Sequence, residues 1–207
     1  MTKTEIETPR GLARAELHCA AEARAGLLLG HGAGGGISAP DLVAATRGAQ
    51  AAGVDVALVE QPYRVAGRRA PAPAGHLDEA WLAVANELAE GWFDGLPLLF
   101  GGRSSGARVA CRCAPAGQAV AVLCLAFPVH PPGQPEKSRL PELDGVEVPT
   151  LVVQGERDPF GMPEPAHHCE VVTLAGDHSL KADQEGVSRA VEEWLARVLR
   201  PLDLDTA

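Results

Sequence analysis

From Gly26 onward the chain alternates short, nearly continuous apolar runs with longer segments of helical period. The runs at 26–29, 54–59, 96–100, 119–127, 148–154 and 169–174 lack the polar alternation of a half-exposed strand, which predicts strands covered on both faces. Between them, Leu77, Trp81, Val84 and Leu88 recur at helical spacing, as do Val187, Val191, Trp194 and Val198, the latter set opposite Arg189, Glu192, Glu193 and Arg197. Ser38 followed by Asp41 predicts a capping box opening a helix to about Ala52. Ahead of these, residues 5–18 enclose a Thr8-Pro9-Arg10-Gly11 turn and predict an antiparallel hairpin at the sheet edge. Alternating strands and helices imply right-handed crossovers, hence a mostly parallel, doubly wound α/β sheet.

Composition narrows the class. With 207 residues, 46% of them hydrophobic and 22% charged, the chain can bury one sizeable core, and we expect a single domain over 1–207. A net charge of -9 repels phosphate backbones and anionic lipid, which argues against a general nucleic-acid or membrane-surface role. The longest apolar run, 119–127, is far below the ~20 residues of a membrane helix. The first residues, MTKTEIETPRG, lack the apolar core of a signal peptide, and the five cysteines show no CxxC spacing. The expectation is a cytoplasmic protein with reduced, buried thiols and no metal site.

In such sheets ligands sit beyond the carboxyl ends of the strands, so chemistry is sought there. After the run at 96–100 comes Gly101-Gly102-Arg103-Ser104-Ser105-Gly106. Gly102-x-Ser104-x-Gly106 fits a nucleophile elbow, a sharp strand-to-helix turn whose flanking glycines leave room for an outward serine. Ser105 cannot centre that motif, because Arg103 stands where its first glycine is required. A serine alcohol needs a base, and the base an orienting acid. Asp158 follows the run at 148–154 and His178 follows the run at 169–174, giving the chain order Ser104, Asp158, His178. Glu156 is the nearest rival acid, whereas Asp177 adjoins His178 and suits a loop role.

An acyl-transfer site also needs donors for the developing oxyanion. The first central run ends in Gly30-His31-Gly32-Ala33-Gly34-Gly35-Gly36, where backbone can approach a ligand closely, and we assign the donors to the amides of Ala33 and Ser105. Gly30-x-Gly32-x-x-Gly35 also matches a dinucleotide fingerprint, with Glu60 available for a ribose, but that motif should open a helix, and Gly36 prolongs the loop. Candidates for contact with substrate are His31, which can equally orient this loop, together with Arg64, Arg103 and His130. Arg64, Arg68 and Arg69 follow the run at 54–59 and add positive charge to an acidic chain, suited either to solvent or to an anionic substrate group.

Together these residues resemble the alpha/beta-hydrolase superfamily from about Gly26 to the C-terminal helix. The stretches GGRSSG at 101–106, FPVHPPG at 127–133 and QGERDPFG at 154–161 resemble a small, lid-poor, dienelactone-hydrolase-like branch that includes testis-expressed and NSL-complex-subunit-like proteins. One departure is Ala107, where the commoner elbow has a second glycine. The resemblance implies a serine hydrolase without organic cofactor or metal, acting on a small-molecule ester, thioester or amide. Because only the proline-rich segment 128–146 stands where most members carry a helical cap, it also implies an open site. Some members of that branch act as complex subunits, so an interaction module on the same fold is the alternative expectation.

Overall fold

The computed structural model describes residues 2–200; Met1 and 201–207, the ends of the expected 1–207 domain, lie outside the described residues. An eight-stranded sheet runs through the molecule in the order β1-β2-β4-β3-β5-β6-β7-β8. The strands are β1 (Thr2–Thr8), β2 (Gly11–His18), β3 (Ala25–Gly30), β4 (Val54–Glu60), β5 (Leu98–Arg103), β6 (Ala121–Leu125), β7 (Thr150–Gly155) and β8 (Cys169–Leu174). β1 and β2 form the expected edge hairpin, β2 joins β4 antiparallel, and β3 to β8 are parallel. Each of the six expected central runs contains a strand, with ends shifted by up to three residues in β5, β6 and β7, and β3, β6 and β7 are buried along their whole length.

The helices are α1 (Pro40–Ala51), α2 (Pro62–Val65), α3 (Ala74–Glu90), α4 (Ser105–Cys113), α5 (Leu140–Asp144) and α6 (Gln184–Val198). Alternate residues of the central strands feed two cores, while β1 and β2 feed only the first. On one face Leu28, Phe100 and Cys124 pack with Trp81, Val84 and Leu88 of α3 and Val109 of α4. On the other Leu27, Leu29 and Leu123 pack with Leu42 of α1 and Val187, Val191 and Trp194 of α6.

The chain moves from β3 outward to β4, then crosses back over β3 to β5. The crossover direction reverses there, which opens a crevice at the carboxyl ends of β3 and β5. Residues 126–149, between β6 and β7, contain only the short α5, so among the described residues no helical cap enters there to cover that crevice.

Three local expectations are corrected. The capping box is absent: Ala39 is the N-cap without a side-chain hydrogen bond, Pro40 supplies the preset first helical residue, and Asp41 is drawn inward to Arg103. β5 also runs past Phe100 to Arg103, because Gly101 and Gly102 pair with Leu29 and Gly30. A Cβ on Gly102 would stand 2.6 Å from the Gly106 carbonyl carbon and 2.7 Å from the Gly30 oxygen. These glycines therefore permit close approach of β3, β5 and α4 instead of ending the strand. Of the five thiols, Cys19 is exposed, contrary to expectation, and four are buried. Burial pushes the Cys113 thiol up to about 12, which suppresses its thiolate at neutral pH.

Candidate active site

Ser104 sits between β5 and α4 with φ 53° and ψ -108°, a strained backbone for a residue with a side chain. Its amide donates to the Leu125 carbonyl (2.9 Å) and its carbonyl accepts from Arg108 (3.2 Å), so the turn is pinned from both sides. Ser105 opens α4, where a backbone amide has no partner within the helix.

Three loops bring the side chains together. Ser104 Oγ lies 2.9 Å from His178 Nε2, and His178 Nδ1 lies 2.8 Å from Asp158 Oδ2. An ionised carboxylate only accepts, so Nδ1 carries the proton and Nε2 is left to receive that of Ser104. The Asp158 carboxylate is wholly buried, and the His178 ring is partly buried, 15% exposed. Oδ1 accepts from the Phe160 amide (2.9 Å) and Oδ2 also from Gln154 Nε2 (2.9 Å). Gln154, buried at the end of β7, extends the same amide to the carbonyls of Phe127 and Gly161. Phe160 lies over the imidazole, ring centroids 4.1 Å apart at 30°, where the ring face favours an imidazolium. Sequence reading missed Gln154 and Phe160. For Gln154 the signal was a polar amide closing an apolar run, since a buried amide needs partners.

The rival acids are engaged elsewhere. Glu156 is exposed and pairs with Arg157 (2.6 Å), while Asp177 accepts from the amide and hydroxyl of Ser179.

The loop after β3 is held by two rings. His31, 3% exposed, donates from Nδ1 to the Gly32 carbonyl (2.8 Å) and accepts the Gln61 amide at Nε2 (3.1 Å). Burial lowers its pKa, which keeps the ring in this neutral form. The Tyr63 hydroxyl donates to the Ala33 carbonyl (2.9 Å). Gly30, Gly32 and Gly35 do not open a helix, since α1 begins at Pro40.

The remaining candidates are dispersed. Arg64 is half-buried on α2 and donates to the Arg68 carbonyl (3.3 Å). His130 donates to the Pro131 carbonyl (2.8 Å), and its own amide donates to Phe160 O (3.2 Å), beside the Asp158 loop.

Arg103 is neutralised internally, so it adds no free charge to Arg64, Arg68 and Arg69. Its Nε is 2.8 Å from Asp41 Oδ2, placed as an ion pair rather than an aligned hydrogen bond, and its Nη2 donates to the His178 carbonyl (3.1 Å). Burial pushes the Asp41 carboxyl up, and Arg103 draws it only part of the way back. Arg103→Ala is expected to destabilise the protein by about 3–5 kcal/mol at neutral pH, because it strands a fully buried carboxylate. An acid whose folded pKa is raised is most costly above that pKa, so the loss shrinks as pH falls toward the ordinary carboxylate range. Urea unfolding checks this: the Arg103→Ala/Asp41→Asn double variant should be more stable than Arg103→Ala alone, and equal stabilities would refute the pairing.

A crevice at the sheet's switch point, a strained serine elbow and no cap define the class to which this fold and site belong. Residues 23–200 match the alpha/beta hydrolase domain, and the chain belongs to that family. No curated protein matches the sequence. Among solved structures, it is similar to a serine hydrolase without a lid from Xanthomonas campestris, with TM-score 0.78, 19% identity, and 96% and 95% of the two chains covered. It is also similar to Est1E from Butyrivibrio proteoclasticus (TM-score 0.77, 17% identity, 96% and 99% covered). A dienelactone hydrolase from Anabaena variabilis follows (TM-score 0.74, 18% identity, 96% and 98% covered). At these identities the likeness is one of fold.

Proposed function

We propose that the protein is a serine hydrolase working through an acyl-enzyme. The observation that carries this reading is the unbroken relay from Ser104 Oγ through His178 to Asp158, with contacts of 2.9 and 2.8 Å. Ser104 attacks a carbonyl carbon as His178 Nε2 takes its proton, and the Ser105 and Ala33 amides receive the oxyanion. His178 then returns the proton to the leaving group. Water, deprotonated by the same nitrogen, releases the acid and restores Ser104. Asp158 keeps the tautomer and balances the imidazolium, while His31 and Tyr63 hold the Ala33 loop and Arg103 holds the His178 backbone.

The open crevice suits a small or exposed ester, thioester or amide, such as the esterase-like neighbours' fold can house. We take the chain as a single cytoplasmic domain of the lid-poor branch resembling testis-expressed and NSL-complex-subunit-like proteins. The chemistry requires no organic cofactor or metal. An interaction module gains nothing from the aligned relay, which favours the enzyme.

The experiment is intact-mass analysis after exposure to a fluorophosphonate, followed by peptide mapping. One adduct per chain, on Ser104, is expected. A folded protein that takes no adduct, or takes it elsewhere, would overturn the mechanism.

A further inference from the structure

We infer a second ligand site, for a small amphipathic carboxylate, in a cavity of about 460 Å³ between the β1–β2 turn, α2 and the start of α3. That volume falls within the range of small-molecule pockets. None of Ser104, His178, Asp158 or Ala33 lines it, so it is separate from the crevice above.

Its chemistry is set by what converges there. Arg10 comes from the hairpin turn, Arg68 from the loop after α2, and His76 from the first turn of α3. No Asp or Glu lines the cavity, although acids outnumber Lys and Arg 27 to 18 in the chain. Arg68 has no ion pair among the described residues, which leaves its guanidinium free for an anion. Arg10 meets Glu79 at 2.6 Å, but the pair lies at the surface, its side chains 35% and 50% exposed, and such a pair is weak enough for a ligand to share. The rest of the lining includes Leu12, Val65 and Leu77, an apolar floor suited to a hydrocarbon or aromatic body. A planar carboxylate matches the guanidinium fork, and an apolar body matches the floor. The cavity and the crevice share a wall: Tyr63 lines the cavity, and its hydroxyl holds the Ala33 carbonyl.

The test uses naphthalene-2-carboxylate and its neutral isostere naphthalene-2-carboxamide with the full chain. Calorimetry should show the carboxylate binding about tenfold more tightly or better, the ratio expected for a hydrogen bond to a charged group. Backbone amide shifts should centre on Leu12, Val65 and Leu77. Arg68→Glu, at an exposed position, should keep the thermal transition and lose about tenfold or more of the affinity. Val65→Trp, which fills the cavity, should abolish binding. Equal affinity for the two probes, shifts centred on Gly102 and Ser105, or unchanged affinity in Arg68→Glu would each overturn the assignment. The titration reads binding and not turnover, so it stands apart from whether Ser104 reacts.

Discussion

Ser104→Ala is expected to lower ester hydrolysis by about four to six orders of magnitude and to abolish fluorophosphonate labelling. The side chain's only hydrogen bond among the described residues is to His178, so the variant loses about 1 kcal/mol of stability at most and should unfold at nearly the parent temperature. Retained fold with lost turnover separates chemistry from stability. Ser105 offers no substitute: it is the first residue of α4, and among the described residues no hydrogen bond joins its side chain to His178. Chromogenic ester assays with active-site titration read the outcome, and retention of more than about 1% of the rate would assign the nucleophile elsewhere.

Much of the proposed site was legible because each of its three hydrogen-bonded side chains stands just past an apolar strand. Burial on both faces makes β5 and β7 readable as runs, whereas β8, at the sheet edge with Glu170 and Thr173 exposed, reads as a run through its apolar residues alone; topology then delivers Ser104, Asp158 and His178 to one edge. What supports them was less visible. Arg103 and Asp41 are 62 positions apart in sequence, and local spacing made Asp41 a helix-capping residue when its carboxylate serves a distant guanidinium. Gly101 and Gly102 look like strand breakers by propensity, yet the nearness of β3 and α4 makes glycine the residue that lets β5 continue. Phe160 depends on the course of a loop, 158–161, whose shape no periodicity encodes.

Positive charge near the site is likewise sorted by structure rather than by proximity in sequence. Arg103 is spent on Asp41 and the His178 carbonyl, and Arg64 on the Arg68 carbonyl, while Arg68 faces the separate cavity. Of these arginines, only Arg103 reaches the His178 segment, and its charge is matched by Asp41.

Asp158→Asn is expected to reduce kcat/KM for ester hydrolysis by about 10⁴-fold near neutral pH. Oδ2 now accepts from both His178 Nδ1 and Gln154 Nε2, and Oδ1 accepts from the Phe160 amide. An asparagine has one oxygen and one NH2 for these three donors. If its NH2 takes the Oδ2 position, it demands an unprotonated Nδ1, which moves the imidazole proton to Nε2 and removes the base facing Ser104. It also confronts the Gln154 amide, donor against donor. If the NH2 takes the Oδ1 position, it confronts the Phe160 amide, and a neutral oxygen replaces the charge that balances the imidazolium. Either arrangement leaves a buried donor unmatched, at a cost of about 1–3 kcal/mol in stability, which urea unfolding will read. Glu156→Gln is the matched control, because Glu156 is exposed and among the described residues pairs only with Arg157, so its rate should stay near that of the parent. Retention of more than a tenth of the rate in Asp158→Asn, or a loss in Glu156→Gln of comparable size, would transfer the orienting role away from Asp158.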